Sequence, residues 1–105
     1  MKLTESNAGS TVHLREGEIL EIVLTSNPST GYQWKVAPGD ENLLEEQGNW
    51  EFKPTSRAVG AGGTIKLRFK AVRQGEADFK LVYHRPFELE APPIQSFEIK
   101  LVVGG

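Results

Sequence analysis

Cysteine is absent from the sequence, which excludes disulfide bonds and thiolate chemistry. A long apolar run is absent as well, so the sequence predicts no membrane-spanning segment. The segment from Met1 to Ser10 carries one lysine and no apolar run, so it does not have the character of a signal peptide. Cytosolic and exported locations both stay open, because a signal removed before this segment would leave no trace.

An excess of charge of one sign is also lacking. Lysine and arginine number 12, aspartate and glutamate 14, and the formal net charge is −2. This balance gives no electrostatic reason to expect nucleic acid as a partner, and there is no polybasic patch for an anionic membrane. The 105 residues suit one domain with a modest core, in which residues 1–10 could be flexible.

Apolar residues alternate with polar ones over most of the chain, which is the period of β-strands with one buried face. Shorter runs at Val12 and Leu14, from Tyr32 to Val36 and from Trp50 to Lys53 predict further strands. The long runs have their inward positions at Leu20, Ile22 and Leu24; Ile65, Leu67, Phe69 and Ala71; Ala77, Phe79, Leu81 and Tyr83; and Phe97, Ile99, Leu101 and Val103.

Turn residues separate these runs and predict how the strands connect. Arg73-Gln74-Gly75 is short enough to close a hairpin between Thr64–Val72 and Glu76–Tyr83. Only Glu41 to Gln47 has a composition that suits a short helical turn. Many short strands without helices between them favour an all-β fold, an immunoglobulin-like antiparallel β-sandwich. A small closed barrel is the main alternative.

Three loops follow the strands that contain Leu24, Phe52 and Tyr83, and in a Greek-key sandwich such connections collect at one end. The first loop is Asn27-Pro28-Ser29-Thr30-Gly31-Tyr32. Asn27 can close an Asx-turn, Pro28 fixes φ, and Gly31 supplies a positive φ, so a stiff loop with a small hydroxyl tip is expected. An ordinary strand connection would use the same residue types.

The second loop, Lys53 to Thr64, is long for a compact domain and contains Gly60-Ala61-Gly62-Gly63. A phosphate-binding role is excluded by context, because a strand and not a helix follows the glycines. A linker without a role is the alternative. The third loop runs from Arg85-Pro86-Phe87 to Pro92-Pro93, and its arginine and aromatic side chains are typical of interface hot spots. Its alternative is a phenylalanine that packs back onto the core.

Together the three loops resemble the signatures of the chagasin-like inhibitors of cysteine peptidases. The first loop, with Trp34, resembles that family's NPTTGY/F-x-W motif. The glycines of the second loop match its GxGG motif, and the start of the third loop matches its RPW/F motif, in the same order along the chain. The resemblance implies an immunoglobulin-like domain that reversibly inhibits papain-like cysteine peptidases. It implies no cofactor, metal or catalytic residue, and a monomer is the default.

The resemblance also implies where the inhibitor contacts the peptidase. The three loops would fill the active-site cleft as a wedge that is not cleaved. Ser29 and Thr30 would lie nearest the catalytic cysteine, with Asn27, Pro28, Gly31 and Tyr32 around them. Gly60, Ala61, Gly62 and Gly63 would approach closely on one flank, and Arg85, Pro86 and Phe87 would contact the other. Ser29 stands where the family commonly has threonine and Phe87 where many members have tryptophan, which suggests altered strength or target choice.

Two other functions compete with inhibition. An enzyme would have to use His13 or His84, but spacing pairs no carboxylate with either histidine. The acidic residues Glu41, Glu45 and Glu46 are more typical of a solvated face than of a metal site. An adhesion or carbohydrate-binding module could stack sugars on Trp34 or Trp50, although both tryptophans fall in phase with inward positions.

Overall fold

The computed structural model describes residues 1–37, 43–55, 62–88 and 90–104. Within these residues the chain forms nine strands and two single turns of 3-10 helix, Glu5–Asn7 and Pro28–Thr30. The strands are β1 (Lys2–Thr4), β2 (Thr11–Arg15), β3 (Ile19–Ser26), β4 (Gln33–Val36), β5 (Leu44–Glu46), β6 (Glu51–Pro54), β7 (Gly63–Ala71), β8 (Gly75–His84) and β9 (Gln95–Gly104). No helix of this described part is long and apolar enough to cross a bilayer.

The strands form two sheets that share one core. The first sheet has the order β1-β3-β7-β5, and β6 also pairs with β7. The second sheet has the order β2-β9-β8-β4. The predicted β-sandwich is therefore confirmed, and the closed-barrel alternative is wrong for the described strands. The antiparallel prediction fails for β1 and β2, which pair in parallel with β3 and β9. The chain begins in the first sheet with β1, crosses to the second sheet with β2 and returns to the first with β3.

The core contains most of the inward positions that alternation predicted, while Ile65, Ala77 and Phe79 are only partly buried and pack against it. Leu20, Ile22 and Leu24 of β3 are fully buried, in the same core cluster as Phe97 and Ile99 of the second sheet. Each fully buried side chain of this size stabilises the fold by about 1.5–3 kcal/mol. Leu3 of β1 is buried as well, in a segment where the sequence analysis assigned no strand. The outward positions of β7 carry Lys66 and Arg68, which form salt bridges with Glu21 of β3 at 3.6 Å.

The predicted hairpin at Arg73-Gln74-Gly75 is wrong. Strand β7 lies in the first sheet and β8 in the second. The short link therefore connects the two sheets and does not close a hairpin. Alternation gives the inward face of each strand but not its pairing partner. Two amphipathic strands joined by a short link can bury the same faces by packing across a core instead of pairing.

The predicted helical turn from Glu41 to Gln47 is also wrong where the structure describes it. Leu44–Glu46 is a strand that pairs with the end of β7, with Leu44 opposite Ala71. Leu43, just before it, is buried in the core. Residues 41 and 42 lie outside the described residues. Tertiary pairing along β7 thus overrides a weak local preference.

Gly63 occupies a crowded point of the first sheet. It lies opposite Ser26 of β3 on one side and opposite Pro54 of β6 on the other. A Cβ atom added to Gly63 would overlap the Lys53 carbonyl oxygen and lie 2.7 Å from the Pro54 Cα atom. The close approach of β6 to β7 therefore requires glycine at this position.

We expect Gly63→Ala to lower the free energy of unfolding by about 2 kcal/mol or more, because backbone atoms must move to admit the methyl group. Gly104→Ala is the matched control, since a Cβ there meets no atom within 4 Å. It should change stability by less than about 0.5 kcal/mol. Urea unfolding of both variants measures the difference, and equal losses would contradict the crowding.

Candidate functional site

The three loops lie at the same end of the sandwich. The first loop joins β3 to β4 and so crosses from one sheet to the other, while the second joins β6 to β7 and the third joins β8 to β9. The strand ends next to them pair with one another, as in Ser26 with Gly63 and Gln33 with His84. Gly62 of the second loop lies beside Asn27 of the first. Gly60 and Ala61, which the sequence analysis named, lie outside the described residues.

Asn27 organises the first loop through its side chain and its carbonyl group. The Ser29 backbone N–H and hydroxyl both donate to Asn27 Oδ1, at 3.2 and 2.6 Å. The Thr30 hydroxyl and backbone N–H donate to the Asn27 carbonyl oxygen, at 2.7 and 3.2 Å. The predicted Asx-turn is confirmed. Ser29 and Thr30 are exposed, yet both hydroxyl groups are engaged within the loop.

Gly31 ends this turn in the left-handed region, with φ +83°. The positive φ predicted from the sequence is confirmed. A Cβ atom on Gly31 would also lie 3.1 Å from Cε1 and 3.3 Å from Cζ of Phe87. Glycine is therefore required twice here, for the backbone conformation and for the close approach of the third loop to the first.

An aromatic cluster supports the first loop from below. The Tyr83 hydroxyl accepts a hydrogen bond from the Asn27 backbone N–H at 2.9 Å. The Tyr83 ring stacks on Tyr32, with ring centroids 5.4 Å apart, and lies 4.9 Å from the Trp34 ring. Trp34 in turn donates from Nε1 to the Thr25 carbonyl oxygen at 3.0 Å. Both ends of the first loop are thereby fixed to the core.

Arg85 connects the third loop to the first. Its Nε donates to the Thr30 carbonyl oxygen at 3.1 Å, and its guanidinium carbon lies 4.5 Å from the centroid of the Tyr32 ring. Its Nη1 forms an ion pair with Glu88 Oε1 at 2.9 Å. The hydrogen bond to the Glu88 carboxylate raises the pKa of the Arg85 guanidinium. The sequence resemblance predicts Arg85 as a contact with the peptidase, whereas these contacts within the protein are visible only in the structure.

Phe87 projects from the third loop into solvent. Its side chain is 71% exposed, so the alternative that it packs back onto the core is wrong. Pro86 is exposed as well. In the free protein this ring covers only the edge of Gly31 and leaves most of its apolar surface open. An exposed aromatic side chain beside a rigid loop is typical of a protein-binding surface.

Ile94 is a further exposed apolar residue that the sequence analysis missed. It is 56% exposed, and its backbone N–H donates to the Tyr83 carbonyl oxygen at 3.0 Å. It lines a cleft of about 380 Å³ together with Asn27, Thr30 and Gly62. The strand pattern contained a signal for it, because Ile94 is out of phase with the inward positions from Phe97 onward and so faces outward.

The structure does not favour the sugar-binding and metal-binding alternatives. Trp34 is buried and Trp50 is half-buried, so neither indole forms an exposed platform for a sugar. The Trp50 Nε1 atom is buried without a hydrogen-bond partner and is closed to solvent. Glu41 lies outside the described residues, and the described part contains no group of three or more His, Asp or Glu side chains that could hold a metal ion.

Comparison with known proteins places the chain in a family. The model of the chagasin family peptidase inhibitors (I42) matches residues 13–101. Chagasin of Trypanosoma cruzi is 32% identical, over 95% of this chain and 94% of chagasin. Amoebiasin-1 of Entamoeba histolytica is 33% identical, over 98% of this chain and 99% of its own length.

A solved structure agrees with these relatives. The crystal structure of the cysteine protease inhibitor EhICP2 of Entamoeba histolytica superposes with a TM-score of 0.81 at 30% identity, over 97% of this chain and 93% of that one. The predicted immunoglobulin-like sandwich is confirmed by this likeness. The prediction of a cysteine-peptidase inhibitor that is not an enzyme is confirmed by the same relatives. The chain belongs to the chagasin family of peptidase inhibitors.

Proposed function

We propose that this inhibitor acts on papain-like cysteine peptidases by filling the active-site cleft with its three loops, reversibly, as a monomer and without being cleaved. The observation that carries the proposal is the linkage of the loops before any peptidase is present. Arg85 binds the Thr30 carbonyl oxygen at 3.1 Å, and the Phe87 ring packs against Gly31. A surface that is already ordered loses little conformational entropy on docking.

The proposed contact residues divide by their exposure. Ser29 and Thr30 form the exposed tip, and Pro86 and Phe87 are exposed on the third loop. Gly63 is buried, so in this proposal it shapes the second loop while Gly62 approaches the peptidase. The whole set is Asn27, Pro28, Ser29, Thr30, Gly31 and Tyr32; Gly60, Ala61, Gly62 and Gly63; and Arg85, Pro86 and Phe87.

The hydrogen bonds of the first loop support the proposed resistance to cleavage. Attack by the catalytic thiolate needs a carbonyl group that is aligned with the nucleophile and free to enter the oxyanion hole. The Asn27 carbonyl oxygen already accepts two hydrogen bonds from Thr30, and the Thr30 carbonyl oxygen accepts one from Arg85. These internal bonds would have to break before either group could react.

The two departures from the family motifs preserve the main contacts. Ser29 keeps the hydroxyl group that donates to Asn27 Oδ1 and lacks only a methyl group, whose burial is worth about 0.8 kcal/mol. Phe87 keeps a large exposed apolar ring but has no indole N–H donor. Weaker inhibition of some peptidases is the expected consequence of both departures.

The direct test is to titrate the inhibitor into papain and into a cathepsin-L-like peptidase. The rate at which each peptidase hydrolyses a small substrate measures the inhibition. We expect one-to-one, reversible inhibition and an intact inhibitor chain by mass spectrometry after prolonged incubation. Phe87→Ala should weaken inhibition by about tenfold or more without loss of stability, since the ring is mostly exposed. No inhibition of either enzyme at micromolar concentration would contradict the proposal, and cleavage between residues 27 and 32 would contradict occlusion.

A glycine pair separates backbone strain from loop contact. Gly31 and Gly9 have nearly the same φ, +83° and +84°, but a Cβ atom on Gly9 would meet nothing within 4 Å, whereas one on Gly31 would lie 3.1 Å from the Phe87 ring and 4.0 Å from Arg85 Nε. Gly31→Ala and Gly9→Ala should each lower the free energy of unfolding by about 1–2 kcal/mol, because alanine is strained at a positive φ. Only Gly31→Ala should also raise the inhibition constant, because the added methyl group displaces Phe87. An equal effect of both variants on inhibition would contradict this contact.

Ile94 gives a test of how far the binding surface extends. If the cleft beside the first loop faces the peptidase, Ile94→Ala should weaken inhibition by about three- to tenfold through lost apolar burial. Ile19→Ala is the control, because Ile19 is also exposed but begins β3 at the end opposite the loops. The inhibition constants of both variants against papain show whether Ile94 belongs to the binding surface. Equal constants for Ile94→Ala and the unmodified protein would exclude Ile94 from the surface.

A further inference from the structure

Glu88 lies directly after the arginine motif of the third loop and belongs to none of the three motifs. Its backbone N–H donates to the Arg85 carbonyl oxygen at 3.0 Å, which closes a tight turn through Pro86 and Phe87. Its carboxylate meets Arg85 Nη1 at 2.9 Å. Arg85 and Glu88 are therefore joined twice, once through the backbone and once through their side chains.

The guanidinium group transmits this contact to the first loop. It is planar, and its N–H donors point in fixed directions, so a bond at Nη1 restricts where Nε and the flat face can point. In this chain Nε points at the Thr30 carbonyl oxygen while the flat face covers the Tyr32 ring. Both targets belong to the first loop.

We propose that Glu88 is a positioning residue for inhibition, which holds Arg85 across the first loop and thereby keeps the Ser29–Thr30 tip in its docking conformation. This rests on the proposed function, in which the tip enters the peptidase cleft. Glu88 acts through Arg85 and makes no required contact with the peptidase. An ordered tip raises the fraction of free inhibitor that is competent to bind, and the apparent affinity rises in proportion.

The expected effect is moderate, because the ion pair is accessible to solvent. The Arg85 side chain is 35% exposed and that of Glu88 is 38% exposed. Ion pairs of such exposure shift an equilibrium by about two- to fivefold and are screened by salt. The test must therefore separate a small positioning effect from a general change of charge near the interface.

The first comparison is Glu88→Gln with Glu90→Gln. Both variants remove one negative charge from the same loop, and Glu90 is exposed. The described residues place no salt-bridge partner at Glu90. We expect Glu88→Gln to raise the inhibition constant for papain about two- to fivefold at low salt, and Glu90→Gln to leave it unchanged. Equal increases would show a long-range charge effect and overturn the proposal.

The second comparison tests whether Glu88 acts through Arg85. Arg85→Lys keeps the positive charge but removes the rigid set of donors that links Glu88 to Thr30. In the Arg85→Lys background, Glu88→Gln should have no further effect on inhibition. If its effect is as large there as in the unmodified chain, Glu88 contacts the peptidase directly and the proposal is wrong.

A third measurement uses the free protein and does not depend on inhibition. By NMR, the Arg85 Nε proton and the Thr30 amide proton, which donates to the Asn27 carbonyl oxygen, should exchange faster with solvent in Glu88→Gln than in Glu90→Gln. In 1 M salt the unmodified protein should approach the exchange rates of Glu88→Gln. Unchanged rates in Glu88→Gln would overturn the positioning role. Absence of inhibition by the unmodified chain would instead refute the proposed function, while these rates would still report on the Arg85 contact.

Discussion

The hydroxyl group of Tyr83 makes the contact on which the geometry of the loops depends. Its ring is buried in the core, between Tyr32 and Trp34, and its oxygen accepts the backbone N–H of Asn27 where the first loop begins. A backbone donor at a loop entry needs a partner if it is shielded from water. Because a core residue supplies that partner, the position of the loop is set by the packing of the sandwich and not by the loop alone.

A chain of hydrogen bonds extends outward from Tyr83 through the first loop to Arg85. Asn27, fixed at its N–H, uses its carbonyl and amide oxygens to hold Ser29 and Thr30, and Thr30 offers its own carbonyl oxygen to Arg85. The hydroxyl and backbone N–H groups of Ser29 and Thr30 are thus hydrogen-bonded within the protein, while Phe87 and Ile94 keep their apolar surfaces open. In the proposed complex, the hydrogen-bonded polar groups would give the surface its shape, and the exposed apolar side chains would supply the free energy of association.

The sequence predicts some of these features because they depend on local chemistry. The inward faces of β3, β7, β8 and β9 follow from a period of two, and the Asx-turn at Asn27 and the positive φ of Gly31 follow from residue type. Pairing does not follow from these rules, which is why the link at Arg73-Gln74-Gly75 was wrongly expected to close a hairpin. The strand at Leu44–Glu46 was missed because only its pairing with β7 makes it a strand.

The motif residues show a related division between folding and binding. Gly63 is buried where β6 meets β7, whereas Gly31 sets both a backbone turn and the distance to Phe87. The residue type of Arg85 suggests a contact with the partner. Within the folded chain, however, its Nε and Nη1 groups donate hydrogen bonds to Thr30 and Glu88. A short motif therefore combines residues that build the surface with residues that, in the proposed complex, would contact the peptidase. Sequence resemblance identifies the set, and only the contacts within the folded chain assign each residue to one task or the other.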